Sequence, residues 1–142
     1  MDHGVELAAA SRDGHLALRR VERQQALVER LDAVRGRRIE LAELARDLGV
    51  STRTVARDVE RLRLSGVPLR AHPGRGGGVS LPPVRAAITV TLDLPEVAAL
   101  MSSLAVLGPS VSQSAGSAMR KLTAALCPDG PPERSRVAGS GR

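Results

Sequence analysis

Residues 41–59, LAELARDLGVSTRTVARDV, decide how the chain folds. Leu41, Leu44, Ala45 and Leu48 recur at helical spacing and predict a helix of about two turns. Glu40 stands where a helix is better capped by Ser, Thr or Asp. Gly49 supplies the positive φ of a tight turn, Val50 plugs that turn from inside, and Ser51 is a strong N-cap for a further helix. In that helix Val55, Val59 and Leu62 fall at i, i+4 and i+7 and define a buried face. At 100° per residue, Arg53, Arg57 and Arg61 share one sector on the opposite side, flanked by Thr54. Two short helices about a glycine turn, the second carrying a basic outer face, are the layout of a helix-turn-helix, whose second helix enters the DNA major groove.

The flanking segments extend this unit. Residues 1–17 read as a loose, flexible N-terminal arm. From Leu18 a helical pattern runs through Val21, Leu27, Val28, Leu31 and Val34 to Gly36, and would brace the pair that follows. Arg37 and Arg38 come next, with Ile39 in a short extended lead-in. After the helix stop at Ser65–Gly66, the run VPLRAHPGRGGGVSLPP (residues 67–83) predicts two extended stretches, Val67–His72 and Val79–Leu81, about a glycine-rich tip. A hairpin directly after a recognition helix is a wing. Arg75 and Gly76 sit at its tip, within reach of the DNA backbone or minor groove. Residues 18–84 thus form a winged helix-turn-helix.

Residues 85–126 read as a strand plus a helical hairpin. AAITVTL (residues 86–92) alternates Ala86, Ile88, Val90 and Leu92 against Ala87, Thr89 and Thr91, a strand pattern. Asp93 and Glu96 make a capping box with Pro95 just inside the helix. Val97, Leu100, Met101, Leu104 and Leu107 follow at helical spacing, and Gly108–Pro109 breaks the chain. Residues 112–126 form another helix with Met119, Leu122 and Leu126 inward. These apolar helices need a partner surface. They can dimerise the protein, pack back on its own winged helix or bind another protein, and dimerisation is the reading favoured here. The tail, residues 127–142, has the composition of a disordered segment. The predicted fold class is mainly α with a small β-hairpin: a winged helix-turn-helix followed by a helical hairpin.

Composition narrows the function classes. The net charge is +6 over 142 residues, and Lys121 is the only lysine among the 21 basic residues. An arginine-borne positive charge points to a polyanionic partner. There is no Phe, Tyr or Trp, which disfavours single-strand readers that stack bases on aromatic rings. Cys127 is alone, and His3, His15 and His72 are scattered surface positions without metal spacing, so neither a disulfide nor a metal site is expected. PGRGGG is followed by Val79 and Ser80 in a strand, not by a Lys-Ser/Thr pair and a helix, so it is not a P-loop. No Ser-His-Asp or paired-carboxylate arrangement is evident. No enzymatic activity, cofactor or small-molecule effector is expected. No apolar run approaches the roughly 18 residues of a membrane span, and MDHGVELAAASRDGH (residues 1–15) is a poor signal peptide, so a reducing cytoplasm is the default compartment.

The run LAELARDLGVSTRTVARDVERLRLSGVPLRAHPGRGGGVSL (residues 41–81) resembles the N-terminal winged helix of DeoR-like regulators, especially those with a C-terminal WYL sensor domain. The turn GVS, the helix opening STRTVARDVERL and the RGGG wing stand in that family's order and spacing. LDLPEVAALMSSLAVLG (residues 92–108) resembles the connector after the wing. The resemblance covers roughly residues 18–126. It implies a dimeric transcription regulator on a duplex operator. By position Ser51, Thr52, Arg53, Thr54 and Arg57 match the DNA-facing helix, Arg75 through Gly78 match the wing, and Asp58 matches an acidic position that orients neighbouring arginines. The chain departs from the pattern in three places. The WYL domain is missing, so no ligand-sensing role carries over. Val79 stands where an aromatic residue is frequent. The Ile88–Leu92 strand exceeds the usual connector.

Three function classes follow. The first is a sequence-specific double-stranded DNA-binding regulator, a repressor acting as a homodimer. Thr52, Arg53 and Arg57 would read bases, with Arg61, Arg37 and Arg38 near phosphates. The second is a winged-helix protein-interaction module that modulates a full-length regulator. The third, a small enzyme, has no residue pattern behind it.

Overall fold

The computed structural model describes residues 3–84, 87–108 and 110–127, with side chains from residue 12 onward. The chain is mainly α with one small antiparallel hairpin. It divides into two compact units, one up to Thr91 and one from Leu92. The first holds α1 (His3–Ala33), α2 (Leu41–Leu48), α3 (Thr52–Leu64), β1 (Arg70–His72) and β2 (Gly78–Ser80). The second holds α4 (Leu94–Leu107) and α5 (Gln113–Leu126).

The core of the first unit is aliphatic. Leu27 and Leu31 of α1, Leu44 of α2 and Val55 of α3 are fully buried, with Ala45 and Val59 beside them. Ile39, Leu69, Val79 and Leu81 close the core from the side of the hairpin. Gly49 ends α2 in the left-handed conformation at φ 65°, and its N–H returns to the last turn. Val50 N donates to the Ala45 carbonyl at 3.0 Å, which turns the chain from α2 into α3. Glu40 makes no side-chain cap bond at the start of α2, whereas Ser51 Oγ accepts from Thr54 N at the start of α3.

The wing is a two-stranded hairpin, and Val79 on its second strand also bridges to Ile39. β1 pairs with β2 in the register Arg70–Ser80, Ala71–Val79 and His72–Gly78. On the other edge of β2, Ile39 N donates to the Val79 carbonyl at 2.9 Å and Val79 N donates to the Ile39 carbonyl at 2.8 Å. The lead-in to α2 is therefore bridged to the wing. Val79 is 2% exposed and packs the base of the wing. A Cβ on Gly78 would stand 2.1 Å from the Ile39 carbonyl oxygen and 2.8 Å from its carbon. Because those atoms are backbone, Gly78→Ala must push the Ile39 segment away. The expected loss is about 1–3 kcal/mol of stability, of the kind seen for overpacking. A circular-dichroism melt checks the loss, and hydrogen exchange checks reduced protection at Ile39 and Val79. Unchanged melting and protection would refute the close approach.

Several sequence expectations are corrected. α1 begins at His3, not near Leu18, so the backbone of the expected arm is helical. Its sequence, VELAAA in residues 5–10, consists of mostly strong helix formers without Pro. It escapes detection because it offers no apolar stripe. The hairpin strands are shorter than expected, three residues each. Residues 87–93 form no strand, and Ile88 and Val90 are exposed. A strand needs a hydrogen-bonding neighbour, and alternation by itself supplies none. Residues 85 and 86 of that expected strand, and the expected disordered tail after Cys127, lie outside the described residues. His72 is half-buried and not a surface residue; its Nε2 is 2.9 Å from Ser80 Oγ.

In the second unit, Asp93 and Glu96 form the expected capping box with Pro95 at the helix start. Ser112 caps α5 by accepting from Ala115 N at 3.0 Å. Val97 and Ala115 are buried, and Met119 and Leu122 are half-buried as expected. Leu126 is exposed and does not turn inward. Leu94, Leu100 and Val106 also remain exposed on α4.

Candidate nucleic-acid interface

The candidate interface is built on α3. Its buried stripe, Val55, Val59 and half-buried Leu62, seats the helix on the core and turns the opposite face outward. Ser51, Thr52, Arg53 and Arg57 are exposed, and Thr54 is half-buried. Ser51 and Thr54 hydroxyls lie 2.9 Å apart, and both serve the helix start. Arg53 and Arg57 make no hydrogen bond or ion pair among the described residues. They stand one turn apart near the N-terminus of the helix, the end from which recognition helices contact bases.

The other arginines around them are engaged. Arg63 pairs with Glu60 at 3.1 Å, which occupies the one acid lying on the outer face of α3. Arg30 of α1 pairs with Glu43 at 3.2 Å and Asp47 at 2.9 Å on α2. Such exposed pairs contribute little stability, about 0–1 kcal/mol.

Asp58 is the feature that pattern reading placed only by resemblance. It is a carboxylate with 0% exposure. Arg23 of α1 donates from Nε to its Oδ2, Gln24 donates to Oδ1 at 3.2 Å, and Arg61 Nη1 lies 3.4 Å from Oδ1. A buried charge requires partners of this kind. Arg23 and Gln24 were missed entirely. The available signal was Asp58 itself, which sits three residues after Val55 and four before Leu62, at the edge of the apolar stripe. Its partners come from a distant helix, which periodicity cannot identify.

Away from α3, Arg37 and Arg38 are exposed immediately before Ile39, the residue bonded to β2. Arg75 and Gly76 are exposed in the wing turn. The expected site residues therefore fall into three groups on one small unit: the start of α3, the lead-in to α2, and the wing. Arg61 differs from the rest because its guanidinium is already within reach of Asp58.

An open groove between α1 and the turn is lined by Arg19, Glu22, Arg23, Asp47, Leu48 and Val50, among others. Its lining includes no Ser, Thr, Cys or His to act as a nucleophile. Two of its charged groups, Arg23 and Asp47, are already in ion pairs with Asp58 and Arg30. No helix among the described residues is long and apolar enough to cross a membrane.

Comparison with known proteins agrees with this geometry. A family model described as an HTH domain matches residues 23–79. The match runs from the second half of α1 through α2, the turn and α3 to β2, and so takes in the buried core around Val55. No solved structure matches the chain significantly. Residues 23–79 are therefore similar to a helix-turn-helix domain, a class of domain that binds DNA.

Proposed function

We propose, from that helix-turn-helix domain, that the chain is a sequence-specific regulator of double-stranded DNA, a DeoR-like repressor that acts in the cytoplasm. The observation that carries this reading is the pair Arg53 and Arg57, exposed and unpaired among the described residues while Arg61, Arg63, Arg23 and Arg30 are held by acids. A guanidinium free at the start of α3 can grip the O6 and N7 atoms of a guanine with two bonds. Ser51, Thr52 and Thr54 flank it. Arg37, Arg38 and Arg75, with the Gly76 backbone, supply contacts to phosphate.

A homodimer is part of the proposal. Among its described residues the second unit has two 14-residue helices, with Val97 and Ala115 alone buried. A helix pair with so small a buried core gains from association with a second copy. Two copies would set two recognition helices about one DNA turn apart, for an inverted repeat.

The test is binding of a labelled duplex across a salt series. Each neutralised phosphate contributes a slope of about −0.9 in log K against log salt. Arg37, Arg38 and Arg75 from two protomers would give a slope near −5. Binding that is absent, or indifferent to salt, would count decisively against the assignment. The second reading, a module that binds a full-length regulator, draws on the exposed Leu94, Leu100 and Val106 of α4. It predicts partner capture that survives Arg57→Ala.

A further inference from the structure

We infer that Asp58 is a positioning residue that withholds Arg61 from the phosphate backbone and confines the DNA-facing charge of α3 to Arg53 and Arg57. The inference rests on the DNA-binding reading above and goes beyond it by assigning opposite roles to arginines of one helical stripe.

Helical geometry makes the sorting possible. At about 100° per residue, Arg57 lies some 40° from Arg53, and Arg61 some 80°. Asp58 lies a further 60° or so round, at the edge of the buried stripe. Arg61 thus stands between the outer face and the acid. Its Nη1 is 3.4 Å from Asp58 Oδ1, and its side chain is about half exposed. Arg53 and Arg57 lie on the far side of Arg61, nearer the helix start, and make no such bond among the described residues.

The acid is held from behind. Arg23 occupies Oδ2, and Gln24 shares Oδ1 from 3.2 Å. Both come from α1, so the carboxylate cannot swing toward solvent without leaving two partners. Every side-chain oxygen of Asp58 therefore has a donor, and Arg61 meets a fixed, fully buried charge. Released from it, an arginine at this position could grip any phosphate. Such a contact strengthens binding to every duplex alike and carries no sequence information.

The experiment uses the full chain and one labelled duplex of arbitrary sequence, titrated across salt. Wild type is compared with Arg61→Gln, Asp58→Asn and the double variant, with a melting curve for each. Arg61→Gln is expected to leave the salt slope unchanged. Asp58→Asn is expected to steepen it by about 0.9 per protomer, the value of one added phosphate contact. The double variant is expected to return it to the wild-type value. A purely structural role for Asp58 would weaken binding without steepening the slope. Two results overturn the inference alone: a slope shallower by about 0.9 in Arg61→Gln, or a folded Asp58→Asn with the wild-type slope. If Asp58→Asn melts below the assay temperature, the Arg61→Gln slope decides the matter. Wild-type protein that binds no duplex at any salt overturns the DNA reading itself, and this inference with it.

Discussion

Arg57→Ala is expected to lower affinity for a selected duplex by about 5- to 150-fold, corresponding to roughly 1–3 kcal/mol for one arginine–guanine pair. The target would come from repeated selection of bound duplexes out of a random library. Arg57 is exposed and makes no ion pair among the described residues, so its removal leaves no buried charge behind. The melting temperature should stay where it is, since exposed substitutions of this type lie within about 0.5 kcal/mol. Affinity for an unrelated duplex should change far less than affinity for the selected one. Arg57→Lys should recover only part of the loss, because an ammonium lacks the two-pronged fork. Equal binding of the selected duplex by wild type and Arg57→Ala would remove this residue from the reading surface.

The largest stability effect is expected from Leu31→Ala, about 2–5 kcal/mol. Leu31 is fully buried where α1 meets the core. No Phe, Tyr or Trp occurs anywhere in the chain, so the core has no large aromatic side chain able to sweep into the space left behind. Domains of this size are stable by only about 5–15 kcal/mol. At about 4–8 °C per kcal/mol, the melting temperature should fall by about 8 °C or more. Circular dichroism is the suitable probe, because there is neither Trp nor Tyr to report by fluorescence. Leu64→Ala serves as the control. Leu64 is 80% exposed at the end of α3, and its loss should cost under about 0.5 kcal/mol. Similar melting shifts for the two variants would contradict the placement of the core.

How much of this was legible beforehand differs from element to element. α2, the turn and α3 were readable because their signals are local. Gly49 needs the left-handed region, Ser51 caps within three residues, and Val55, Val59 and Leu62 repeat within three turns. The capping box of Asp93 and Glu96 was readable for the same reason. The early half of α1 was not, since helix-forming residues without a buried face leave no periodic trace. The Ile88–Leu92 alternation promised a strand that does not form, because a strand's hydrogen bonds must come from another segment. Of the site, Arg53 and Arg57 could be placed from the helical wheel, and Arg61 could be placed but not distinguished from them.

Residue order by itself determined the helix-turn-helix, its caps and its outward basic face, all of which follow from interactions spanning a few residues. Tertiary structure alone decided that Ile39 completes the wing beside Val79, that Gly78 leaves room for it, and that Asp58 is met by Arg23 and Gln24 from α1. Those contacts join segments more than thirty positions apart. No propensity or period encodes them, because they exist only once the buried aliphatic faces have brought the segments together.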